Sequence, residues 1–106
     1  MTEVKFYSIN EKLTGFEISG HSGYAEEGSD IICASISSCA YMVANTITEI
    51  VNVEADIEVS DGYLSLAVSL GDADKIKDLM LGFELHVKAL ADEYRKYLSC
   101  KKEIIR

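Results

Sequence analysis

The sequence predicts an α+β domain in which two β-hairpins form one sheet and two long helices pack against it, in the order ββαββα. Three observations carry this reading. Apolar and polar side chains alternate in short runs over 4–19 and again over 54–70, the two-residue period of half-buried strands. Apolar residues at steps of three and four take over at 31–51 and 76–97, the stripe of an amphipathic helix. Sheets and helices that are apolar on one side must bury that side against each other.

Taken in order, Val4 to Ile9 places Val4, Phe6 and Ser8 on one face of a first strand. Asn10-Glu11-Lys12 supplies a turn, and Leu13 to Ser19 returns with Phe16 and Ile18 facing inward. A polar segment with Gly20, Gly23 and Gly28 follows. Its glycines suggest backbone freedom or close approach to a ligand, without the tight strand-to-helix turn of a phosphate-binding fingerprint. The central helix runs from Ile31 to about Val51 on the stripe Ile32, Ile36, Ala40, Val43, Ile47 and Ile50. Cys39 reads as packing. Glu54 to Val59 alternates acids with apolar residues, a strand with one wet face. Asp61-Gly62 is a hairpin turn signal, and Tyr63 to Leu70 returns with alternate leucines inward. Gly71-Asp72 ends the sheet and caps a second helix striped by Ile76, Leu79, Phe83, Val87, Leu90, Tyr94 and Tyr97. His86 lies off that stripe and is expected in solvent. Lys101 to Arg106 reads as a short final strand or a frayed tail.

A chain of 106 residues forms one domain over 1–106, large enough to bury a core without disulfides or metals. It is 48% hydrophobic and 26% charged, as soluble globular proteins are. Its start lacks a signal peptide's basic end and apolar run, and no apolar run approaches the roughly 18 residues of a membrane span. Three cysteines without CxxC spacing argue for reduced thiols, a cytoplasmic location and no zinc site. Two histidines support no metal cluster, and no cofactor is expected.

The net charge of −8 is unevenly spread. No Lys or Arg occurs between Lys12 and Lys75, where eleven acids do, from Glu17 to Asp74. Such a surface repels phosphate backbones, so direct nucleic-acid binding is not expected. It attracts a basic partner at long range, though solubility alone would also account for it. The last twelve residues are basic and complement the end of the second helix.

The chemistry concentrates in Gly20-His21-Ser22-Gly23-Tyr24-Ala25-Glu26-Glu27-Gly28-Ser29-Asp30-Ile31-Ile32-Cys33-Ala34. Asp30 is a good helix N-cap. If it caps, Cys33 is the third helical residue, where the positive helix end favours thiolate over thiol. Twelve positions separate His21 from Cys33, enough for the imidazole to fold back on the sulfur. The same residues also have a plainer reading: a cysteine near a helix start is commonly a small buried hydrophobe, and a lone histidine a surface residue.

At Gly20-His21 and Gly28-Ser29-Asp30-Ile31-Ile32-Cys33-Ala34 the chain resembles the ribosomal-processing cysteine protease family, Prp, over essentially its full length. That family's pattern is Gly-His and, about a dozen residues on, Gly-x-Asp-Ile-Val-Cys-Ala before a helix of small residues. The departures are Ile32 for Val, Ser22 where Ala is frequent, and Cys39 where a larger aliphatic residue is usual; none touches the candidate dyad. The resemblance implies a homodimeric cytoplasmic endopeptidase that removes a short N-terminal extension from a large-subunit ribosomal protein, cutting after a phenylalanine in an apolar segment. It implies Cys33 as nucleophile, His21 as general base and Asp30 as support.

For that chemistry, imidazolium would protonate the departing amine and backbone amides of Cys33 or Ala34 would hold the oxyanion. Asp30 could cap the helix or orient His21. The segment with Gly20, Ser22, Gly23 and Gly28 would act as a lid over substrate. Two other classes stay open: a redox-responsive thiol at Cys33, and a non-catalytic module that binds a basic ribosomal protein. Two helices on a four-stranded sheet leave apolar surface over, so a dimer is expected.

Overall fold

The computed structural model describes residues 1–20 and 27–105, with the side chains of 27–30 set aside. Strands β1 (Thr2–Ile9) and β2 (Lys12–Ser19) form the first hairpin, and helix α1 spans Glu27–Asn45. Strands β3 (Asp56–Ser60) and β4 (Tyr63–Ala67) form the second hairpin. A 3-10 segment, Leu70–Ile76, leads into helix α2 (Lys77–Glu93), and β5 covers Leu98–Ile104. The ββαββα order is therefore present, with a fifth strand added.

The sheet runs β3-β4-β2-β1-β5, antiparallel except where β5 lies parallel to β1. Register sorts its two faces. Val4, Ile18, Leu64 and Val59 line up across the strands, as do Phe6, Phe16, Leu66 and Ile57. These rows face the helices. Phe83 of α2 meets Phe6 and Phe16 edge-on, with ring centroids 5.5 and 5.1 Å away, the arrangement aromatic quadrupoles favour. From α1, Ile32, Ile36, Ala40, Val43 and Ile47 join the same core. Gly15 is required at the centre of β2, since a Cβ there would collide with the backbone of Leu66.

Four expectations are corrected. The second helix stops at Glu93, so Tyr94 and Tyr97 leave the stripe. Turn bonds from the Tyr97 and Leu98 amides to the Tyr94 carbonyl redirect the chain into β5. The apolar side of β3 is not covered: Ile57 is 41% and Val59 58% exposed, because β3 is the outermost strand. The π-helical turn Thr46–Ile50 ends the central helix. There Thr46 and Thr48 hydroxyls donate to carbonyls one turn back, which bends helices, and Ile50 swings out to 74% exposure. Finally, the 20-residue stretch Ile31–Ile50 is long and apolar enough to cross a membrane, with a mean hydropathy of 1.4 over an 18-residue window. Its stripe packs against the sheet, as a core helix does.

The opposite sheet face is open and polar. Tyr7 and Tyr63 hydroxyls both donate to Glu17 Oε2, at 3.0 and 3.3 Å. Lys5 sits 3.6 Å from Glu3 and 3.8 Å from Glu103. Burial, then the bond to Glu17, pushes the Tyr7 phenol from its ordinary 10.0 up to about 12. Above pH 10 the unfolded chain gives up a proton that the folded chain keeps. Stability from this group is complete below pH 10 and is lost as pH rises through about 12. Alkaline thermal melts are expected to fall less steeply over that interval in Tyr7→Phe than in the wild type. Parallel curves would show that Tyr7 carries no such linkage.

Candidate active site

Cys33 lies on α1 with Ser37 and Tyr41 one and two turns further along. Residues four apart share a helix face, so the three form a stripe beside the buried one. That stripe faces the β3–β4 turn. Between them is a cavity of about 210 Å³ lined by Ile18, Gly20, Cys33, Ser37, Tyr41, Ser60, Gly62, Tyr63 and Leu64. Cys33 is half-buried with a free thiol, so the sulfur is sheltered yet reachable from a concave surface.

Gly20 closes the other side. Its φ of +99° lies in the left-handed region, and a Cβ on it would collide with the Met1 carbonyl. Only glycine accepts both conditions. The residue that precedes His21 in the chain thus lines the same cavity as Cys33. His21, Ser22 and Gly23 lie outside the described residues, so the dyad's geometry does too.

The helix start differs from expectation. α1 begins at Glu27, which makes Gly28 its second residue, Asp30 its fourth and Cys33 its seventh. Asp30 is therefore inside the helix rather than its N-cap, and Cys33 sits in the second turn. The amides of Cys33 and Ala34 then point at the carbonyls of Ser29 and Asp30, as i to i−4 bonding requires. They are committed to the helix and are poor oxyanion donors. Ala34 itself faces solvent.

The other cysteines stand apart from this cavity. Cys39 packs against the core, as expected. Cys100 is half-buried on β5, where burial pushes its thiol up, against the pull of Lys88 and with the push of Glu84. His86 is exposed on α2. Among the described residues, no three His, Cys, Asp or Glu side chains converge as a metal requires. A larger cavity of about 570 Å³ lies at the far end of β3, lined by Thr48, Asn52, Glu54, Asp56 and Asp72 among others; it holds no thiol or imidazole. Sequence reasoning missed Ser37, Tyr41, Ser60 and Tyr63. The first two were findable, since they follow Cys33 at steps of four.

The model of the family described as "Cysteine protease Prp" matches residues 1–99. The ribosomal processing cysteine protease Prp of Bacillus subtilis (strain 168) is 24% identical over 104 residues, covering 92% of this chain and 93% of the relative. The S. aureus ribosomal processing protease Prp in complex with a substrate peptide superposes with a TM-score of 0.86 at 20% identity, over 97% of this chain and 100% of the other. The same S. aureus protease with a covalently linked product peptide gives 0.82 at 21% identity, with the same coverage of 97% and 100%.

Filling the cavity tests its access to the sulfur. Ser37→Leu is expected to slow maleimide modification of Cys33 by about tenfold, because the isobutyl group enters the cavity directly beside the thiol. Intact mass after timed quenching reads the rate. An unchanged rate with an unchanged melting temperature would place the route to Cys33 elsewhere.

Proposed function

This chain belongs to the cysteine protease Prp family and is a cysteine protease, and we propose that it removes a short N-terminal extension from a large-subunit ribosomal protein with Cys33 as nucleophile. The observation that carries the assignment is the cavity shared by Cys33 and Gly20, which brings the chain to the sulfur immediately before His21.

His21 takes the Cys33 proton, and the thiolate attacks the scissile carbonyl. The imidazolium then protonates the departing amine, leaving an acyl-enzyme thioester that water hydrolyses. Asp30, three positions before Cys33 inside the helix, is assigned to orienting His21, since the capping role is not open to it there. Ser22 and Gly23 belong to the segment proposed to cover the bound peptide, which joins Gly20 at the cavity rim to Gly28 in the first turn of α1, with Ala34 beside the nucleophile.

The acidic stretch between Lys12 and Lys75 fits a basic ribosomal protein and disfavours nucleic acid. Free cysteines fit a reducing, cytoplasmic setting. The homodimer finds a contact face in Met42, Leu81 and Leu85, which are 55%, 42% and 71% exposed on the outer sides of the two helices.

Incubation of the host's precursor ribosomal protein with wild type is expected to yield one truncated product by intact mass. Cys33→Ala is expected to lower the rate by at least about 10³-fold, as loss of a covalent nucleophile does. A precursor that stays uncut by wild type while binding both proteins would favour the non-catalytic module instead. Sedimentation at micromolar concentration is expected to give twice the 11.7 kDa chain mass; a species at the single mass would remove the dimer.

A further inference from the structure

The outer edge of β3 lies beside the cavity, and the proposed chemistry leaves it unused. Among the described residues, strand β3 pairs with β4 on one side and with no strand on the other. Ser60 and Tyr63 flank the two-residue turn, so they form a hydrogen-bonded pair. Antiparallel strands alternate such pairs with unbonded ones. Glu58 and Asp56 therefore bond to β4, while the N–H and C=O groups of Ile57 and Val59 point off the sheet.

Side chains repeat the alternation. Ile57 and Val59 lie on the helix side of the sheet and are 41% and 58% exposed; Asp56, Glu58 and Ser60 lie on the open side. The edge also reaches the reaction site, because Ser60 lines the cavity that holds Cys33. From there it runs about 13 Å, four residue steps, to Asp56, which lines the acidic cavity with Glu54 and Asp72.

Edges of this kind are normally blunted by lysine, proline or a bulge. Strand β5, the opposite edge, carries Lys101 and Lys102. Strand β3 has none of these, and only its short length and the carboxylates of Asp56 and Glu58 guard it, which repel an acidic partner and admit a basic one. A second copy of this chain is a poor occupant: antiparallel pairing along the strand sets Glu58 against Glu58 or Asp56 against Glu58, and the register that avoids this, Val59 on Val59, overlaps only residues 58–60 of each strand. Directly opposed like charges are destabilising.

We propose that the free edge of β3 docks an extended segment of the substrate, with apolar and basic side chains alternating along it, as an added strand. Its apolar side chains continue the row of Ile57 and Val59. Its lysines or arginines lie against Asp56 and Glu58. Backbone pairing supplies affinity and the alternation supplies register, as in other strand-addition complexes. The proposal rests on the protease reading, because it takes the segment to be part of the cleaved protein.

The test uses Cys33→Ala protein and two fluorescein-labelled peptides read by anisotropy. One is an eight-residue peptide of alternating Lys and Val; the other alternates Glu and Val. In this background Glu58→Lys is expected to weaken the Lys–Val peptide at least about fivefold and to strengthen the Glu–Val peptide. Val59→Pro removes an outward N–H and spares the ladder to β4, so it is expected to weaken the Lys–Val peptide at least about fivefold with its melting temperature kept. Equal affinities across the three proteins, or no binding of the Lys–Val peptide, would overturn the docking edge. Precursor cleavage by the wild type is read separately, so failure of the edge and failure of the protease reading are distinguishable.

Discussion

One apolar sheet face has to be covered, and the way α1 covers it decides where Cys33 points. Ile32, Ile36, Ala40, Val43 and Ile47 must all face the sheet. With about 100° between successive helical residues, that choice fixes the neighbouring stripe of Cys33, Ser37 and Tyr41. It faces sideways, toward the β3–β4 turn, and the cavity forms in the gap. A helix rotated to bury Cys33 would expose Ile32 and Ile36 at a cost of about 1.5–3 kcal/mol for each side chain. Packing energy thus aims the sulfur, and the chemistry inherits its direction from the core.

Much of this was legible in the sequence because the strong signals were periodic. The first hairpin, the central helix and the Asp61-Gly62 turn each follow from side-chain spacing, and so does the inward set of Phe6, Phe16, Ile18, Leu64 and Leu66. Strand β5 was half-legible. Its only fully buried side chain is Leu98, and Lys101-Lys102 hides the pattern while protecting an edge. Tyr94 and Tyr97 continued the α2 stripe by spacing, yet the chain had already turned. Periodicity does not register where hydrogen bonding stops. The exposure of Ile57 and Val59 was not readable at all, since strand order in the sheet decides it.

The two sheet faces divide the molecule's tasks. The helix side holds the core and, at its margin, the cavity. The open side holds Glu17 between two tyrosine hydroxyls and Lys5 between two acids. These polar contacts tie β1, β2, β4 and β5 together without covering them. Toward β3 the positive charge runs out, and Asp56 and Glu58 have no lysine opposite them in the sheet. The strand beside the site thereby carries two carboxylates, Asp56 and Glu58, and no cation.

The position of the helix start changes how the site must work. A thiol in the first turn would be helped by the unpaired amides and dipole of that end. With α1 beginning at Glu27, Cys33 is in the second turn, where that help has largely faded. In the proposed mechanism the burden then passes to His21, a base from outside the helix. Gly20 is built for this: its left-handed backbone sits against the Met1 carbonyl at the rim of the cavity, and His21 follows it in the chain. A backbone turn that only glycine adopts freely, rather than the field of a helix end, is what carries the chain from β2 to the rim of the Cys33 cavity.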